Sequence, residues 1–145
     1  MLDVVLGLHD RAFFIGPIVR GEVLQLKPIV DRCIADLKIS ALPDDELTFD
    51  DVADFSNQHN LGVGESECIL FCLRRAELNV CSDDRRARLV GAGVLSQERV
   101  VGTSDLLKEC VMQGMLTAQD SFAAYEQMRS RGAFLPVLRR EEFII

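Results

Sequence analysis

Apolar and polar positions alternate along this chain in a way that predicts short strands set between helices. Leu2, Val5, Leu6 and Leu8 mark a short helix, and Ala12-Phe13-Phe14-Ile15 reads as a short buried strand. Pro17 suits the first turn of a helix carrying Ile18, Val19, Val23, Leu24 and Leu26, which Pro28 interrupts. A further helical piece covers 29–38, and Ser40–Glu46, with Pro43 and three acids, reads as a loop. Thr48 opens the next helix with Asp51 three residues on, close to a capping box, and 57–64 ends in a Gly-Val-Gly turn. From Glu65 to Ala76 the stripe Cys68, Ile69, Cys72 and Leu73 predicts a helix. Leu78–Cys81 is a strand, Asp83–Val90 a helix ended by Gly91 and Gly93, and Arg99–Gly102 another strand. Thr103 or Ser104 caps a helix that turns Leu106, Leu107, Cys110 and Val111 inward. Thr117 and Asp120 repeat the near-capping box before the helix 118–131, Gly132 ends it, and a tail helix with Phe143, Ile144 and Ile145 packs back onto the domain.

Such alternation implies an α/β fold with a mostly parallel sheet covered on both faces, whose sites form beyond the carboxyl ends of strands. At 145 residues the chain has the size of a single domain, 1–145, with a real core. Five cysteines, an odd number without a CxxC pair, fit reduced thiols and a cytoplasmic location; neither a signal-peptide pattern nor an apolar run of the ~18–20 residues needed to span a bilayer is present. A net charge of −7 argues against a nonspecific nucleic-acid coat protein but leaves a nuclease open, because a carboxylate metal site carries negative charge that its ion offsets.

Two acidic clusters stand where helices begin: Gly62-Val63-Gly64-Glu65-Ser66-Glu67 and Ser82-Asp83-Asp84-Arg85-Arg86-Ala87-Arg88. Clustered carboxylates repel one another unless a cation joins them, and oxygen-only clusters suit Mg2+ or Mn2+. First-turn acids also serve as caps and favour the helix dipole, and two acids followed by three arginines also make a surface charge mosaic. Glu65 and Glu67, two apart, cannot point the same way; Glu65, nearer the helix start, is the candidate ligand. Of Asp83 and Asp84, one is a candidate N-cap and the other is free to reach a site. Glu22, between Val19 and Val23, is an acid near an apolar stripe that wants a partner or sits at the stripe's edge. Arg86 and Arg88 are candidates for an RNA backbone or for pairing with the neighbouring acids. His9 and His59 lie in no motif, and Cys68 with Cys72 reads as core.

Glu65 and its neighbours, then Asp83-Asp84-Arg85-Arg86-Ala87-Arg88, then Val101-Gly102-Thr103, together resemble the PIN-domain family, in the branch related to toxin nucleases of toxin–antitoxin pairs. The segment from Ile15 through Pro17 to Glu22-Val23 and the tail Met128–Phe134 are similar to it as well. The resemblance implies a Rossmann-like three-layer fold with a central, mostly parallel sheet, and RNA cleavage by a water activated by Mg2+ or Mn2+. It places Glu22, Glu65 and Asp84 as the catalytic and metal-binding acids, Asp83 as the neighbour able to replace Asp84, and Thr103 as the hydroxyl residue near the site. It further implies a homodimer and an antitoxin protein as partner. The family opens with a strand ending in an aspartate, and the sequence given falls after that point; Asp3 lies too close to Pro17 to serve. The alternative expectation is therefore a catalytically degenerate module that binds nucleic acid or protein.

Overall fold

The computed structural model describes residues 1–144. In chain order the elements are α1 (Leu2–Leu6), β1 (Phe13–Ile15), α2 (Pro17–Glu22), α3 (Lys27–Ala35), β2 (Ile39–Ala41), α4 (Phe49–His59), α5 (Val63–Arg74), β3 (Val80–Cys81), α6 (Arg85–Val94), β4 (Val100–Val101), α7 (Thr103–Met112) and α8 (Ala118–Ser130). Single 3-10 turns cover Gln97–Arg99 and Arg140–Phe143. The fold is mixed α/β, and its strands form two parallel pairs. β1 lies beside β2 with Phe13 opposite Ile39, and β3 lies beside β4 with Val80 opposite Val100. Both pairs are joined by helical crossovers, as parallel strands require.

Three apolar clusters hold these elements together. Ile69, Phe71 and Cys72 of α5 meet Leu42, Leu78 and Val80. Leu8, Val101, Leu106 and Cys110 form a second cluster, with Val4, Val5 and Phe13 packed against it, so α1 and β1 are fastened to β4 and α7. The third is Leu107, Tyr125 and Phe143, each fully buried, with the Tyr125 and Phe143 rings 5.7 Å apart at 56°. Phe143 thus brings the tail back onto α7 and α8; it does so from a 3-10 turn, with Ile144 exposed, and Ile145 lies outside the described residues.

Several local expectations are corrected. Ser40 and Ala41 are strand, not loop, because the segment pairs with β1. β1 is half-buried, with Phe14 44% exposed on one face. The helix opened by Pro17 ends early at Glu22, where Val23 leaves helical geometry and the Leu24 N–H turns back to the Glu22 carbonyl. Gly91 and Gly93 do not stop α6, which runs to Val94. A Cβ on Gly91 would stand 3.2 Å from the Val100 side chain and 3.4 Å from that of Val80, so the residue marks close packing of α6 on β3 and β4. On α5, Leu73 is exposed while Ser66, Glu67 and Phe71 are buried, so the buried face is rotated from the Cys68–Leu73 stripe. Thr48 and Thr117 cap α4 and α8 as their spacing predicts, each accepting from the N–H three residues on. α7 is capped otherwise: Gly102 precedes it and donates its N–H to the Asp105 carboxylate at 2.8 Å.

Candidate functional site

The carboxyl ends of β3 and β4 lie side by side, with the ladder prolonged by the Ser82 N–H donating to the Val101 carbonyl at 2.9 Å. Each strand yields a polar residue of interest two positions beyond its end. Asp83 follows β3, and its Oδ1 accepts from the Thr103 N–H at 2.8 Å while its Oδ2 accepts from the Thr103 hydroxyl. A side chain at Gly102 would fall 2.6 Å from Arg88 Nη1 and 3.0 Å from Asp83 Oδ1, so both groups close over the bare glycine. Arg88 also donates to the Ser82 carbonyl at 2.9 Å. Asp84 is the N-cap of α6, accepting from the Ala87 N–H at 2.8 Å. The cap thus belongs to the second aspartate and the strand-end contact with Thr103 to the first.

This corner forms part of a cleft of about 770 Å3 lined by Arg11, Asp83, Arg85, Arg88, Asp105 and Phe134, among others. Arg11 is bound to Glu109 through Nε and Nη2, and the hydrogen bonds to that carboxylate raise its pKa. Arg86 is turned away to the end of α4, donating twice to the His59 carbonyl. Neither Arg86 nor Arg88 forms an ion pair with the neighbouring acids among the described residues.

Glu22 and Glu65 meet the first turn of α5. A Cβ on Gly64 would lie 2.5 Å from Glu22 Oε2, and one on Gly62 would lie 2.3 Å from Glu65 Oε2. Glu22 is exposed and Glu65 half-buried, so both carboxylates keep contact with water, and their place at a helix N-terminus is electrostatically favourable in itself. Glu67 points elsewhere. It is 1% exposed, and its two oxygens accept from the Ile18 and Val19 N–H groups at 2.9 and 3.2 Å, capping α2 from a different helix. Burial pushes its pKa up, the two N–H donors pull it down, and the nearby charges of Glu22 and Asp44 push it up again; the net direction is upward. Gly16 gives this carboxylate its seat, since a Cβ there would be 2.1 Å from Glu67 Oε1.

Two residues of structural weight, Glu67 and Arg99, stand outside the candidate site residues read from the sequence. Glu67 carried a readable signal: it lies four residues before Phe71, hence on the same buried face of α5. Arg99 carried none. Its Nη2 donates to the carbonyls of Cys72, Arg75 and Leu78, closing the end of α5 and the turn into β3.

Glu22 and Glu65 offer anionic oxygen only, which fits a hard divalent ion; Mg2+ commonly takes one or two carboxylates and completes its shell with water and phosphate. Among the described residues no three His, Cys, Asp or Glu side chains converge into a group that could hold a metal by themselves. No family model, curated protein or solved structure matches the chain. Among the described residues no helix is long and apolar enough to cross a membrane.

Proposed function

We propose that this chain is a PIN-type ribonuclease working with Mg2+ or Mn2+. The observation that carries the reading is the meeting of Asp83 and Thr103 at the carboxyl ends of two adjacent parallel strands, the position at which α/β sheets build their sites. Glu22 and Glu65 are the residues that would hold the ion, with substrate phosphate completing its shell. When bound, such an ion lowers the pKa of a water and offsets phosphate charge. Asp83, fixed at both oxygens by Thr103, is an anionic acceptor suited to orienting a water, and Arg88 beside it is suited to a phosphate oxygen. Asp84 serves the site indirectly, by starting α6 at the strand end. In this reading the two strand pairs belong to one Rossmann-like three-layer arrangement. The packing of α1 and β1 into the same cluster as β4 and α7 supports it. A homodimer, and an antitoxin protein as partner, belong to the same proposal.

A second reading has an observation of its own. Asp84 is taken up as the cap of α6 and Asp83 is held at both oxygens by Thr103, an arrangement that also fits a degenerate domain that binds RNA or protein without cleaving it. Calorimetric titration of Mn2+ into the chain and into Glu65→Ala, paired with a cleavage assay on single-stranded RNA, separates the two. Binding and cleavage that the substitution removes support the nuclease. A chain that neither binds Mn2+ nor cleaves RNA leaves the degenerate domain standing.

A further inference from the structure

The wall of the cleft opposite α6 is made by Phe134 and Pro136. Phe134 is 97% exposed, yet the backbone around it is held firmly. The buried Tyr125 donates its hydroxyl to the Pro136 carbonyl at 2.7 Å, Arg129 Nε donates to the Leu135 carbonyl, and Leu135 and Leu138 pack into the third apolar cluster. Leu135 and Leu138 are turned inward while the Phe134 ring stands in water. Across the cleft, Arg85 has no hydrogen-bond or ion-pair partner among the described residues, and the exposed Leu89 lies beside it. Of the acids of the cleft, Asp83 is engaged by Thr103 and Asp105 by the Gly102 N–H, while Glu98, like Arg85, has no partner among the described residues. What remains available is a flat aromatic face, an apolar shelf, the free guanidinium of Arg85 and the carboxylate of Glu98 around an open space.

We infer that this cleft binds single-stranded RNA, with one base stacked on Phe134 and the adjoining phosphate on Arg85. Aromatic faces with cationic flanks accept any base, because every base has a π-face, and stacking is worth ~1–3 kcal/mol per base. The inference deepens the proposed function and rests on it for the choice of RNA. It assigns the entry path to Phe134 and Arg85, residues outside the acids that would hold the ion. Leu89 would support the far edge of the stacked base.

The test is fluorescence anisotropy of a labelled hexauridylate RNA with the full chain, without added divalent ion. Phe134→Ala is expected to weaken binding about tenfold or more, while Phe134→Trp restores it. Arg85→Ala is expected to weaken binding and to lower the salt slope by about one. Both side chains are exposed, so thermal unfolding of the variants followed by circular dichroism should match the parent. Equal affinity of Phe134→Ala and parent, or no binding by the parent, overturns the inference. Binding that depends on Phe134 in a chain that never cleaves RNA upholds the cleft and defeats the nuclease. Cleavage with unchanged affinity and KM in Phe134→Ala does the reverse.

Discussion

Replacing Glu67 with alanine is expected to cost this fold about 3 kcal/mol. The carboxylate is 1% exposed and accepts two backbone N–H groups at the start of α2, each through its own oxygen. Alanine leaves both half-buried donors without a protein partner, and an orphaned buried donor costs ~1–3 kcal/mol. Two such donors at the lower-middle of that range give ~3 kcal/mol, or roughly 10 °C in melting temperature for a chain of this size. Glutamine keeps one acceptor oxygen and turns an NH2 toward the other N–H, so it should lose less. The pH dependence supplies an independent check. Burial raises the folded pKa of Glu67 above its ordinary value near 4.3, so the folded state holds this proton more tightly than the unfolded chain. The stability from that proton is complete below the ordinary carboxyl range and is lost as pH rises toward the raised folded value. Relative to the parent, Glu67→Gln should therefore show a flatter stability profile just above pH 4.3. Urea unfolding followed by circular dichroism at several pH values measures both effects, since the chain has no tryptophan and one tyrosine. A Glu67→Ala midpoint within ~0.5 kcal/mol of the parent, or parallel pH profiles for parent and Glu67→Gln, would refute the reasoning.

Arg99→Met should lower stability by ~2 kcal/mol in the same urea assay, because the carbonyls of Cys72, Arg75 and Leu78 lose their shared donor. Gly93→Ala should raise stability by ~0.5–1 kcal/mol, since no atom lies within 4 Å of the added methyl and alanine is the better helix former; a lowered midpoint would count against the described course of α6. Burial pushes the Cys68 thiol up to about 12 and the Cys72 thiol up to about 11. Both should resist alkylation by iodoacetamide at pH 8 in the folded chain. Their contribution to stability, whole below the ordinary thiol range, should fall as pH rises from ~8.5 toward those values.

The local punctuation of this chain was readable because it depends on contacts within a turn or two. Thr48 and Thr117 as caps, Pro17 as a helix opener and the strands around Val80 and Val100 all follow from residues near them in sequence. What was not readable depends on contacts across the chain. Gly91 looks like a terminator until β3 and β4 are packed against it, and Ser40 looks like loop until β1 pairs beside it. At the strand end, which of Asp83 and Asp84 caps α6 is not readable locally, because the contact that holds Asp83 comes from Thr103, twenty residues downstream. The burial of Glu67 is readable from its spacing to Phe71, but its role in capping α2 is not, because its partners are the backbone of a segment far upstream.

The reach of Glu67 bears on the order in which the molecule can assemble during synthesis. The donors at Ile18 and Val19 leave the ribosome well before their acceptor, which lies 49 residues beyond Ile18. Until Glu67 emerges, the start of α2 has water as its partner. The pairing of β1 with β2, by contrast, can close as soon as residue 41 is free. The N-terminal strand pair is therefore an early and provisional unit, and the docking of α5 converts it into a committed one. A stalled nascent chain with Glu67 still inside the ribosome should be far more open to protease than one stalled late enough for Arg74 to have emerged.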